Sequence, residues 1–395
     1  MDTRLNRAKR DATPKDPASL ERILIERIRA GREEDSFLEW DAYCAAYDMR
    51  TAYPPTVYLS LEKQQRELFA HYGTICGTIT TLLAADDAVK KDCRQVIITP
   101  TEDIFTQDEI TPNDLTALAA YKKLRVFFSP SPYMTPEHAA AIAQLTTLQV
   151  LHIAHNKLRP RGALELADMP NLQRLYMNFC DIEKEGAEFL ATSKSLRRLE
   201  IAHNDLHASG AREIAKLTRL QYLSIGNNEL SDAGAREIAK LENLRTLDIY
   251  ANALGDEGAH QITRLQNLDD LTISWNRLTP KGARAIATIK TLRTLDICQN
   301  YLGPDGAKEL AALPNLLRLK INNCDLEPEG AKHIAKIKSL QTLWIYGNKI
   351  HEEGIETVAR MPNLQTLYLG TQGYDKNFLR KIRRRHPTLQ IKEEN

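Results

Sequence analysis

The sequence has no long apolar run. Nowhere do 18 hydrophobic residues stand together, so no membrane-spanning helix is expected. It has no charge of one sign in excess. Its 53 Lys and Arg face 52 Asp and Glu, and a formal net charge of +1 gives no general electrostatic grip on nucleic acid. The six cysteines (Cys44, Cys76, Cys93, Cys180, Cys298 and Cys324) include no C-x-x-C pair, and reduced thiols of a cytosol-type compartment fit best. The first residues, MDTRLNRAKRDATPKDP, are basic but lack a following apolar stretch, so no cleavable signal peptide is expected. P-loop, dinucleotide fingerprint and nucleophile elbow are missing too, and with them the usual signals of nucleotide enzymes and esterases. Aromatics make up only 6% of the chain, so their placement carries weight.

What the chain has in abundance is period. From 148 to 371 the pattern L-x-x-L-x-I-x-x-N-x-L-x-x-x-G-A-x-x-I-A-x-L-x-x recurs about nine and a half times. One copy runs through Leu220, Leu223, Ile225, Asn228, Leu230, Gly234, Ala235, Ile238 and Leu241, and the next begins at Leu244. A fixed period of this length indicates a solenoid of stacked units. Leu-x-Ile alternates with period two, so it reads as a short strand with both apolar side chains inward. Each strand is expected to pair in parallel with the next. The Asn that follows (Asn156, Asn204, Asn228, Asn252, Asn276, Asn300 and Asn348) ends the strand in a turn. Its amide both donates and accepts, so it can bond backbone in its own and a neighbouring repeat. Cys180 and Cys324 fill the same slot. They stand six periods apart, about 29 Å at one strand spacing per repeat, too far for a disulfide. Gly-Ala then opens a helix of about two turns, where glycine permits close packing and Ile or Leu forms the stripe facing the sheet.

These residues at this spacing resemble bacterial 24-residue leucine-rich repeats, the subclass related to the ribonuclease-inhibitor type and to the GALA effectors of host-associated bacteria. The resemblance covers roughly Leu148 to Leu369. It implies an α/β horseshoe: a curved parallel sheet lining the concave side, helices outside, and a non-enzymatic protein-binding role.

The expected organisation is a disordered 1–17, a helical N-terminal module over 18–92, two degenerate repeats over 93–147, regular repeats over 148–371 and a C-terminal cap over 372–395. The module's helices are placed near 16–31, 36–47, 58–72 and 78–91. One degenerate copy starts at Cys93, Val96 and Ile98, the other at Tyr121, Leu124 and Val126, each a few positions longer than the regular copy. Thr111-Pro112 and Thr135-Pro136, one full period apart, support both. In the cap, Leu379, Ile382, Leu389 and Ile391 continue an apolar stripe. The basic run from Arg380 to Arg385 reads as that cap's solvated face, with an acidic-partner or nuclear-import patch as the alternative.

Four positions per repeat face the concave side: the one before the second Leu, the one between Leu and Ile, and the two after Ile. Of the twelve aromatics from 148 onward, eight fall in these four columns of 24: Tyr176, Phe179, Tyr222, Tyr250, Trp275, Trp344, Tyr346 and Tyr368. Large aromatics are common binding hot spots, although stacking across strands is a second explanation. Charge is zoned on the same face. Glu200, Asp248, Asp270 and Asp296 make the middle acidic, between Arg174 and Arg198 on one side and Arg318 and Lys320 on the other. The expected partner-binding set is therefore Tyr176, Phe179, Arg198, Tyr222, Asp248, Tyr250, Asp270, Trp275, Asp296, Trp344, Tyr346 and Tyr368.

Enzyme readings find little. His155 and His203 lie two repeats apart, roughly 10 Å, too far to share a metal, and no metal or cofactor is expected. Asp248 and Asp296 could flank a hydrolytic site only on a shallow, open face. The expectation is a monomeric, non-enzymatic protein-binding module, cytoplasmic or delivered into a host cell as a bacterial effector, with a host protein as partner. Two alternatives stand: an adaptor recruiting a host ubiquitin ligase through the N-terminal helices, and an enzyme within the N-terminal module. GALA proteins carry an F-box before their repeats, but its pattern is not matched here.

Overall fold

In the computed structural model the described residues are 74–77, 84–85, 90–91, 95–98, 110–129, 133–370 and 375–394. The expected disordered stretch 1–17 and the helices expected near 16–31, 36–47 and 58–72 lie outside them. Two compact units result, one of Met1–Ile110 with Ala120–Ser129, the other of Thr111–Ala119 with Pro130–Asn395.

In the first unit three strands pair in parallel: β1 (Thr74–Gly77), β2 (Gln95–Ile98) and β3 (Val126–Phe128). This corrects the sequence reading in two places. Thr74–Gly77 is a strand inside the segment expected to be helical, and within the helix expected over 78–91 Ala84 and Ala85 form a turn and bend while Lys90 and Lys91 are helical. The run Thr-Ile-Cys-Gly is short and rich in β-branched residues, which suits a pleated strand better than a helix. Val96 pairs with Phe127, not with the expected Leu124. The framework residues there are Leu124, Phe127 and Ser129, which stand one period before Leu148, Leu151 and Ile153. Phe127 and Ser129 have no exposed surface. A phenylalanine and a serine in the leucine and isoleucine slots hide the true register.

In the second unit, helix α1 (Pro112–Ala117) is capped by Thr111, whose side chain accepts from Asp114 N while Asp114 reaches back to Thr111 N. This reciprocal capping fixes the helix start. Helix α2 (Pro136–Ala143) likewise has proline in its first turn. From there each period contributes one short strand: β4 (Val150–His152), β5 (Arg174–Tyr176), β6 (Arg198–Glu200), β7 (Tyr222–Ser224), β8 (Thr246–Asp248), β9 (Asp270–Thr272), β10 (Thr294–Asp296), β11 (Arg318–Lys320) and β12 (Thr342–Trp344). Two longer strands, β13 (Thr366–Gly370) and β14 (Gln390–Glu394), close the series. All pair in parallel in chain order, each residue with its counterpart one period on. The register stacks Leu151, Leu175, Leu199 and their successors to Leu367 in one column, and Ile153, Met177, Ile201 and their successors to Leu369 in the next. Every member of both columns is fully buried. Each such side chain contributes about 1.5–3 kcal/mol over its exposed state.

The asparagines close the turns between layers. Asn252 Oδ1 accepts from Asn228 N (2.9 Å) and Leu230 N (3.3 Å) in the preceding repeat. Its Nδ2 donates to Tyr250 O and Ile249 O in its own repeat and to Ile225 O in the preceding one. Cys180 and Cys324 keep only the donor half, to carbonyls 3.3 to 3.5 Å away. On the helix side, a Cβ on Gly234 would lie 2.6 Å from Leu230 Cβ and 3.4 Å from Ala211 Cβ of the preceding helix. The glycine is thus required chiefly by Leu230 at the start of its own helix, with the preceding helix in ordinary contact.

The C-terminal cap holds one helix, Lys376–Arg385, begun by Asp375 accepting from Asn377 N, with Leu379 and Ile382 buried. Leu389 and Ile391 do not continue its stripe. Ile391 pairs with Leu367 in the final strand. The basic run is drawn into this cap: Arg383 meets Glu393 at 2.7 Å and Arg385 pairs with Glu356.

Candidate functional site

The helices cover one side of the second unit's sheet. The other side presents the four columns counted from the sequence, and the register sets their neighbours. The strand columns read Val150, Arg174, Arg198, Tyr222, Thr246, Asp270, Thr294, Arg318 and Thr342 in one file. The second file reads His152, Tyr176, Glu200, Ser224, Asp248, Thr272, Asp296, Lys320, Trp344 and Tyr368. The fourth column is a turn position with left-handed backbone: φ is 62° at His155, 55° at Phe179, 56° at His203 and 54° at Trp275. That conformation suits Gly and Asn, and a bulky residue there is strained.

Three groups of side chains result. At the N-terminal end Phe179 lies between His155 and His203, with ring centroids 4.5 and 3.9 Å away. His203 is held by the Tyr250 hydroxyl at 2.7 Å on Nε2 and the Asn227 amide at 2.5 Å on Nδ1. Burial, then the neighbouring His155, lowers the His203 pKa and favours its neutral ring. Tyr250 occupies the space over Gly226, where any Cβ would collide with its ring. Beside this row the Arg198 guanidinium stacks 3.5 Å from the Tyr222 ring centre and 5.3 Å from that of Tyr176, while bonding Glu200 at 2.7 Å. Tyr176 itself is only 4% exposed. It packs against the His152 ring and under Arg198.

At the C-terminal end Trp344 stacks on Tyr368 at 4.4 Å. Lys320 lies over Trp344 and Lys392 over Tyr368, at 5.5 and 5.2 Å. Tyr346 lies half-buried beside them.

Between the two groups lies the acidic middle. Asp248 accepts from the Ser224 hydroxyl at 3.0 Å. Burial pushes its carboxyl up to about 7, with Glu200 and Asp296 adding like-charge repulsion, against the Ser224 and Tyr250 hydrogen bonds that lower it. Asp270 is also raised, by burial first, with Arg318 and Lys320 pulling the other way. Asp296 meets Lys320 at 3.5 Å. Trp275, at the turn of the central strand β9, is 62% exposed, the most exposed aromatic in these columns.

A model described as a leucine-rich repeat region matches residues 189–372. A second, described as a leucine-rich repeat, matches 144–167 and 168–191. Residues 144–372 thus form a leucine-rich repeat region. Among solved structures, an internalin from Listeria monocytogenes superposes with a TM-score of 0.50 at 19% identity, covering 73% of this chain and 90% of that one. No curated protein matches the sequence at a significant level. The likeness to the internalin concerns the fold.

In this leucine-rich repeat face the expected site residues therefore fall into separate clusters rather than one pocket. Phe179 and Tyr250 join through His203, Arg198 and Tyr222 join by stacking, and Trp344 joins Tyr368. Asp248, Asp270, Asp296 and Trp275 occupy the three central strands. Sequence reasoning misses His155, His203, Asn227 and Lys392 as parts of these clusters. Counting one period on from Tyr368 finds Lys392. Weighing the histidines only as metal ligands gives no hint that they stack on Phe179.

Proposed function

We propose that this protein binds a protein partner on the open face of its leucine-rich repeat sheet and performs no chemistry on it. The supporting observation is the contrast between frame and face. The frame repeats with full burial, while the face carries clustered aromatics and zoned charge, with Trp275 held exposed in a strained turn. A row of stacked rings offers rigid area at little entropic cost, which suits protein recognition. The resemblance of the repeats to those of bacterial effectors supports delivery into a host cell and a host protein as partner.

The test is partner capture by the full chain. Replacing Trp275, Trp344 and Tyr346 together by alanine should abolish capture of a co-purifying partner. The unfolding temperature should move by no more than about 4 °C. Undiminished capture would place the binding surface elsewhere.

A further inference from the structure

The open face combines an aromatic ring with carboxylates in three places, and the first two hold a cation of the protein's own. At the first, Arg198 lies 3.5 Å from the Tyr222 ring centre and bonds Glu200 at 2.7 Å. At the second, Lys320 lies 5.5 Å from the Trp344 ring centre and 3.5 Å from Asp296. The third is made by β8, β9 and β10. There Asp248 and Asp296 flank Thr272 on the neighbouring strands, about 4.8 Å to each side. Asp270 lies two residues before Thr272 on the same face, about 6.6 Å along the strand. Trp275 follows three residues after. Thr246 and Thr294 stand beside Asp270, so small residues alternate with the acids and leave room above the sheet. Among the described residues no Lys or Arg stacks on Trp275, and none forms an ion pair with Asp248 or Asp270.

Trp275 adds an independent observation. An indole 62% exposed leaves a large apolar area in solvent, at a turn whose left-handed backbone is shared by the whole column. The same column holds His155, Phe179, His203, Ala251 and Gln299 at a like φ, so it is exposure that sets Trp275 apart.

We propose that strands β8 to β10 seat a basic segment of the protein partner. One Lys or Arg head lies above Thr272 between Asp248 and Asp270, beside the existing Asp296–Lys320 pair, and a second cationic side chain, about 10 Å along, stacks on Trp275. The inference rests on the reading that the partner binds the open face. The two occupied sites give its chemistry, since each binds a cation between a ring and a carboxylate. Arginine fits both positions best, because its plane stacks on indole and its fork spans carboxylates.

A labelled hexa-arginine peptide, titrated into the full-length protein by fluorescence anisotropy, tests this. Hexaglutamate serves as the opposite-charge control. Hexa-arginine should bind and hexaglutamate should not. Trp275→Ala and the pair Asp248→Asn with Asp270→Asn should each weaken binding tenfold or more. Glu185→Gln with Glu188→Gln, two exposed acids on a helix, should leave it unchanged. Absence of hexa-arginine binding, wild-type binding by both site variants, or equal loss in the helix control would each overturn the assignment. Partner capture that still depends on Trp344 and Tyr346 would show in that case that the face binds its partner by other chemistry.

Discussion

Asn252 illustrates what one side chain does for this fold. Its amide serves two backbone N–H groups of the preceding repeat and three carbonyls. Asn252→Ala strips both N–H groups of their acceptor inside the core. Each buried unpaired donor costs about 1–3 kcal/mol, so a loss of at least about 2 kcal/mol is expected in urea unfolding. The thiols in the same slot behave differently. Burial pushes Cys180 and Cys324 up to about 12, so both should resist iodoacetamide at pH 8 until the protein is unfolded, as peptide mass spectrometry would show. Asp248 gives a pH signature. Burial raises its folded pKa to about 7, far above the usual carboxylate range, so the folded state holds the proton more tightly. No penalty exists below the unfolded pKa. As pH rises from about 4 to 7 the unfolded chain releases this proton while buried Asp248 keeps it, so the fold loses stability. Lys320 moderates this through Asp296, and Ser224 through its hydroxyl. Asp248→Asn should therefore raise the unfolding temperature at pH 8 and leave it nearly unchanged at pH 4. An equal shift at both would show that ionisation is not the cause.

At the scale of the element, each helix is short and rests on its neighbour rather than on its own propensity. Gly234→Ala separates the two effects. Alanine favours an isolated helix by about 1 kcal/mol, yet its Cβ would lie 2.6 Å from Leu230 Cβ. Packing should win, with net destabilisation of about 1–3 kcal/mol, read by chemical denaturation. This is why the regular repeats are legible in the sequence: the letters that recur are those whose contacts recur. Leu223 has Leu199 and Leu247 as strand partners, so any lapse would open the core. Legibility fails where the slot tolerates other chemistry. Phe127 of β3 and Ser129 just after it fill the inner positions without matching the pattern, and Ile391 of β14 has a spacing that also fits a helical stripe. On the face, counting locates the columns but not their pairings. Arg198 between Tyr222 and Glu200, or Tyr176 sinking to 4% exposure, depends on side-chain rotamers that spacing does not carry.

For the whole molecule, strands pair only with their sequence neighbours in the repeat unit. Stability should then be nearly additive along the stack, and hydrogen exchange should be slowest in the middle strands β7 to β10 and faster toward β13 and β14. A uniform protection profile would contradict this. The face is also charged more strongly than the chain's net +1 suggests, so binding of a basic partner should weaken as salt rises. The asparagine ladder has one more consequence. Since each amide joins positions one period apart, removing 277–300 leaves Asn276 as the amide that meets the following repeat. Such a shortened chain should still unfold in one transition, at a lower midpoint. Its face would lose a single step of about 4.8 Å, drawing Trp344 closer to Trp275. The spacing between recognition clusters is thus graduated like a ruler. Inserting or deleting one period should change that spacing by one whole mark and leave the frame intact.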